Sequence, residues 1–589
     1  IGEESSGSEI SIHASKIGQF GEIHADSTDR NGGNLDLYAS NRLVMPSSSL
    51  ITANAGINGN GGEIIVISPE TTLFSEGALI ETKGGTDLGD GGFVEVSGRN
   101  AMTFEGIVDR TATNGENGTL FLDPKNITVA TAGAHAIADY DLFADNVAAS
   151  AEFSVTNFIA AIEGNLTIQA SETITITDAV DSSALVGNLI MQAGKSIVIN
   201  ANITLQGSLT ATANDPGATD AQRDAGEAFF VMADGTTIDT SAGNDDITIT
   251  MSTGPATNDA SGDITIEHLN AGTGDVWIIN NGDDVTGGTG TGNILIASAS
   301  SLITAATVTL DATPTSVTTG AVGTSGSPIA LAASVTNVDA IAQSGGVYLT
   351  SAGTIDVGGA TLGALTGIST STNGPISVIT TAGNITASEA IAPNGSGNVT
   401  LAATGGVDLN AAVTLGNGGD FLSTGVAFDN TGGIITTTTG TLTITHSGAV
   451  TIGAALIDTS GALAITGSAI AVDAAITASG AATMAFTGAT TIDSVNITTA
   501  AGAITFNDDV ITETGVVTVT TGVGLGKITF GDTLTVAGGV LTVIATEGDV
   551  DFDGVVALGT TGLTVTSSGT TTIGAVIGGS TAGVDITAT

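Results

Sequence analysis

Three carboxylates in the segment DVDFDG stand where they could act together. Asp549, Asp551 and Asp553 alternate with Val550 and Phe552, so in a strand the acids share the outer face while the apolar pair enters a core. Carboxylates so placed attract a hard cation, and calcium is the cofactor this trio would hold. The pairs Asp245–Asp246, Asp283–Asp284 and Asp508–Asp509 fall at expected turns. There is no run of the calcium-binding nonapeptide GGxGxDxUx, and solvated turn acids are the simpler reading of all these positions.

Residues for covalent or acid–base chemistry are sparse. His13, His24, His135, His268 and His446 are scattered singly, which suits surface or turn positions better than a metal site. No G-x-S-x-G nucleophile elbow is found on a strand-to-helix turn. A polysaccharide-cleaving β-helix needs acids, bases and aromatics beside a groove. Here there are one Trp (Trp277) and three Tyr (Tyr38, Tyr140, Tyr348), and after Arg223 the only basic residue is Lys527. No catalytic residue is therefore assigned, and the expectation is a protein that is not an enzyme. Thr-x-Thr pairs, as in TLTIT and TTTIG, raise an ice-binding reading. Unequal repeat lengths predict threonine rows out of register, and Ala464 interrupts one of them, so this reading is set aside.

The elements that must position these residues are visible in the composition. Of 589 residues, 84 are Gly and 41% are hydrophobic, yet only 3% are aromatic and 12% charged. Disordered chains are apolar-poor and charge-rich, so this is a folded chain of small and β-branched residues suited to thin strands and tight turns. The net charge of −49 repels phosphate backbones and anionic lipid, which excludes nucleic acid as a partner. Seven of the ten basic residues (Lys16, Arg30, Arg42, Lys83, Arg99, Arg110, Lys125) lie within the first 125 positions. No uninterrupted apolar run is long enough for a membrane span. The start, IGEESSGSE, shows no export signal, and the end within a repeat, VDITAT, is what a portion of a longer polypeptide would show. The absence of Cys fits either export in an unfolded state through a narrow pore or chance loss in a stable repeat fold.

Periodicity supplies the architecture. Gly32-Gly33 opens NLDLYA, Gly61-Gly62 opens EIIVIS and Gly91-Gly92 opens FVEVSG, at steps of 29 and 30 residues, with two further apolar runs between openings. Toward the other end Gly440, Gly461, Gly480, Gly502, Gly526, Gly548 and Gly569 each precede a short strand pattern at steps of 19 to 24. Three strands and three turns per unit make one coil of a solenoid. The expected fold is all-β, a right-handed parallel β-helix, the hand following the general crossover preference. Alternation places Leu35, Leu37, Ile64, Val66, Val94, Val96, Leu120 and Leu122 inward in one column, and Leu442, Ile444, Leu463, Ile465, Val517 and Val519 inward later, with Thr443, Ala464 and Thr518 outside.

Four regions are expected: long coils over 1–130, an irregular segment over 131–165, coils with a protruding loop at 214–226 over 166–250, and Gly/Ala/Thr-rich coils over 251–589. Within the irregular segment, SVTNFIAAIEG carries Val155, Phe158, Ile159 and Ile162 at helical spacing, with Ser154 as N-cap and Gly164 beyond the end. A short helix lying against the solenoid, outside its coils, is predicted. The loop NDPGATDAQRDAG, with Pro216 and Arg223, is a spacer or a recognition element.

The run GDGGFVEVSGRNAMTFEGIVDRTATNGENGTLFLDPKNITV, from Gly89 to Val129, resembles the passage after the secretion domain in filamentous-haemagglutinin-like exoproteins of two-partner secretion systems. The elements GG-x-VEVSG, F-x-G-x-VD and GTL-x-LDP-x-NIT carry the likeness, which extends over roughly residues 1 to 250. It implies an extracellular or cell-surface protein of a Gram-negative-type bacterium, passed through an outer-membrane pore partner. It also implies adhesion to a host, neighbouring-cell or matrix surface, or filament formation. That family's NPNG-type turns are missing here, which implies a secretion domain upstream of Ile1. No adhesive residue carries over, because the matched motifs are turns and strands. Three functions are in contention: a secreted rod-like structural protein or adhesin, a purely architectural fibre unit that self-associates end to end, and a polysaccharide-active β-helix enzyme.

Overall fold

The computed structural model describes residues 7–98, 100–131, 151–218, 223–254, 260–282, 291–315, 317–360, 364–458, 461–560, 562–579 and 583–588. The chain divides into two compact units, one formed by Ile1–Ala306 with Ala312–Val317 and the other by Thr307–Asp311 with Thr318–Thr589. Each unit is a parallel β-helix with three strand ladders.

In the first unit the glycine-marked segments make one ladder. Strands Asn34–Met45, Glu63–Ser68, Phe93–Gly98 and Thr119–Leu122 pair in parallel, with Leu35 on Ile64, Ile64 on Val94 and Val94 on Leu120. The inward residues of this column are at most 1% exposed, as the alternation requires. Corners close tightly. A Cβ on Gly91 would lie 1.8 Å from the Arg110 carbonyl oxygen, so the next coil's approach leaves room only for hydrogen there. Side-chain carbonyls tie successive corners together: Asn31 Oδ1 accepts from the Asn60 amide, Asn60 Oδ1 from Asp90 and Asp90 Oδ1 from Glu116, each at 2.9 Å.

In the second unit the strands after Gly440, Gly461, Gly480, Gly502, Gly526, Gly548 and Gly569 form a single ladder in that order. Its core holds four phenylalanines face to face. Phe486, Phe506, Phe530 and Phe552 have successive ring centroids 4.8, 5.2 and 5.3 Å apart, with planes within 17° of parallel. Coil length varies along this run while the paired strand residues of the ladder stay matched, and the register shift in Leu463–Val472 falls beyond Thr466, where the strand turns toward the next ladder. The unequal steps are taken up in the corners, and the expectation of misregistered outer rows is corrected.

The irregular segment yields the predicted helix, Val155–Ile162, with Ser154 at its N-cap accepting from the Asn157 amide. It lies against the solenoid. Strand Ile107–Asp109 ends its own ladder, and the helix packs against it and against Val180–Ser182. The helix thus replaces a strand in the wall, burying Phe158, Ala161 and Ile162. A strand that periodicity missed precedes it: Ala151–Ser154 inserts between Ala101–Phe104 and Ile127–Ala130, out of chain order. Triplet periodicity fails here because the chain doubles back between coils already laid down.

Candidate functional surface

The strand Val550–Phe552 places its residues as alternation dictates, with Val550 and Phe552 buried and Asp551 facing out. Asp551 forms an ion pair with Lys527 of the preceding coil. That hydrogen bond, with the charges of Asp551, Asp553 and Asp549, raises the Lys527 pKa. Asp549 is engaged separately, its Oδ1 accepting from the Thr570 amide at 2.7 Å. The three acids therefore gather around an ammonium group, and among the described residues no set of three or more His, Cys, Asp or Glu is arranged to hold a metal ion. Other turn acids act as coil-to-coil ties. Asp246 accepts from the Asp275 amide at 2.8 Å and Asp508 from Gly488 at 2.7 Å. Asp283 and Asp284 lie outside the described residues.

Three of the histidines sit at or near the surface. His13 bonds Asp36 at 2.7 Å, His24 bonds Thr52 Oγ1 at 2.7 Å, and His268 lies 3.5 Å from Glu267. His135 falls outside the described residues. His446 departs from its expected surface or turn placement. It is 2% exposed, with Nε2 3.0 Å from Ser423 Oγ and its ring 5.4 Å from Phe428. Burial pushes its pKa down to about 4, which keeps it neutral. Tyr140 falls outside the described residues, and among the described ones Trp277 and the other two tyrosines do not converge. Tyr38 is partly exposed beside His13, Trp277 faces out from Val276–Asn280, and Tyr348 faces out from Gly346–Ser351.

Several buried polar groups were not legible from spacing. Arg110 is 1% exposed and donates from Nε to the Gly118 carbonyl at 2.8 Å and from Nη2 to the carbonyls of Ala161 and Asn165. It thereby satisfies a carbonyl of the last helical turn, which the helix cannot bond internally. Burial lowers its pKa to about 10, and it remains charged. Arg223 anchors the 214–226 loop, donating to Gly194 O at 2.6 Å, Asn214 Oδ1 at 3.0 Å and Gly226 O at 3.1 Å. The base of the loop is thus fastened to the wall. Glu267 is enclosed by hydroxyls, accepting from Ser298 at 2.9 Å and from Ser301. Asp339, 1% exposed, accepts from the amides of Gly367 at 2.7 Å and Ala360 at 3.0 Å, yet burial raises its pKa to about 6.

Concave surface in the first unit lies along the glycine corners. One groove of about 430 Å³ runs past Asn31, Asn60, Asp90 and Asn165, and another of about 510 Å³ past Asn117, Asn188 and Asp245. Both are open and polar, the first lined also by Glu63, Glu116 and Phe93. No family model matches the chain, and no curated protein matches it. Among the described residues no helix is long and apolar enough to cross a membrane.

Proposed function

We propose that this chain is part of a secreted or surface-displayed structural protein that supports adhesion or forms an extracellular filament. The observation that carries this reading is the construction of each unit from in-register columns whose inner positions are mostly aliphatic packing and whose outer positions on repeated coils are rich in Thr, Ser, Asn and Asp. Such a scaffold presents extended surface rather than a single reactive centre. The acidity of the chain supports it, since a net charge of −49 opposes lateral aggregation. Export through an outer-membrane pore partner belongs to the same proposal and rests on the resemblance of residues 89–129 and on the absence of Cys. Purified chain is expected to bind cells or matrix in a saturable manner and to leave glycans intact. Glycan turnover would overturn the proposal in favour of the enzyme reading. Filaments without cell binding would favour the architectural one.

A further inference from the structure

One sheet face of the second unit carries a two-dimensional array of threonines. Strands Ile476–Ala478, Asn496–Thr499, Val516–Thr521, Val540–Ala545 and Leu563–Ser567 pair in parallel with no register shift. Their outward positions form two rows. Thr477, Thr498, Thr520, Ile544 and Thr566 follow one another in the first, and Asn496, Thr518, Thr542 and Thr564 in the second. Between the rows Ile497, Val519, Val543 and Val565 are 0% exposed and fix the spacing from beneath. The coil steps across Thr498, Thr520, Ile544 and Thr566 are 22, 24 and 22 residues, yet the rows stay aligned.

We propose that this face binds ice. A regular sheet sets neighbours in a row about 4.8 Å apart and the two rows about 6.7 Å apart. An array with two fixed repeats gains affinity over a single site only from a ligand that repeats in the same two directions, which is a crystal surface. The chemistry selects which crystal. Over these five strands the two rows carry no charged residue in a chain of net charge −49, and the first charge enters at the next coil, where Asp585 follows Thr564 while Thr587 follows Thr566. The seven threonine hydroxyls have no protein hydrogen-bond partner among the described residues, and each can both donate to and accept from water. Branching at Cβ restricts χ1, so little side-chain freedom is lost when a threonine row meets an ordered surface. Crystalline polysaccharide is the other periodic solid, but its sugar rings stack on aromatics, and neither row carries one over these five strands. By contrast, the outward column Thr424, Thr445, Thr466 and Thr487 is flanked by Leu422, Thr443, Ala464 and Ala485 and offers a single row. This inference is independent of the adhesion reading.

The whole chain is tested for adsorption to a growing ice surface, thermal hysteresis and inhibition of ice recrystallisation. Thr542→Lys, in the middle of the array, is compared with Thr400→Lys on another outward strand, both checked for unchanged circular dichroism. Adsorption with recrystallisation inhibition is expected, reduced at least tenfold by Thr542→Lys and retained by Thr400→Lys. A folded chain that ice excludes, equal loss in both variants, or adsorption to crystalline cellulose in place of ice would each overturn it.

Discussion

Phe506 lies flat on Phe530, ring centroids 5.2 Å apart and planes 13° from parallel, and the pair belongs to a four-ring stack through the core of the second unit. Repetition of one side chain at one register position aligns the coils, because each ring rests on an identical neighbour. Phe506→Ala would leave a void between Phe486 and Phe530. Truncation of a buried Phe costs about 3–5 kcal/mol. Since coils couple mainly to their neighbours, the loss is expected to be local. Hydrogen exchange should accelerate across Ile504–Phe506 and the adjoining strands Met484–Ile492 and Ile528–Phe530, with little change in the first unit.

Arg110 joins the last turn of the helix to the corner at Gly118. Arg110→Met keeps the bulk but removes every donor, leaving the Ala161 carbonyl without its Arg110 partner and the Gly118 carbonyl with only the long 3.4 Å bond from the Asn165 amide. At about 1–3 kcal/mol for each buried polar group left unsatisfied, faster amide exchange over Val155–Ile162 is expected. Unaltered protection of the helix would refute the capping role.

His446 makes its coil acid-sensitive. Its folded pKa of about 4 lies below the ordinary value of 6.5, so between the two the unfolded chain binds a proton that the folded chain refuses. Stability should therefore fall as pH drops from 6.5 toward 4, by up to about 3 kcal/mol at roughly 1.4 kcal/mol per pKa unit, and level off below. Asp339 works in the opposite sense. Its pKa is raised from 3.8 to about 6, so its contribution is fully present below 3.8 and is lost as pH rises through 6. Exchange measured separately around each residue should show opposite pH trends. His446→Gln should abolish the first and leave the second.

Calcium is expected to leave the chain unchanged. Asp551 is paired with Lys527 and Asp549 with the Thr570 amide, so a cation would have to displace existing partners. Melting after EDTA treatment should match melting after calcium addition. A rise in melting temperature with calcium would restore the trio Asp549, Asp551 and Asp553 as a site.

Much of the fold was legible because its signals are local. Strict alternation over Leu35 and Leu37, or over Leu442 and Ile444, fixes which residues enter the core, and Ser154 with Phe158 and Ile162 marks a capped helix. What stayed hidden depends on contacts between coils. Nothing local says that Ala151–Ser154 returns between two earlier strands, or that Arg110 meets Ala161. His446 looks like a turn residue by spacing, but its strand position repeats that of Gly425, whose lack of a side chain helps make room. The threonine rows were misjudged for a related reason. Step length counts corner residues as well as strand residues, and only the strand residues determine alignment.

That separation between corner and strand has an engineering reading. A coil of 19 residues and one of 24 rest in the same stack, so turns outside the tight glycine corners and their Asn and Asp ties can differ in length without retuning the interior. Foreign peptides grafted at such bends would be carried at regular intervals along one flank.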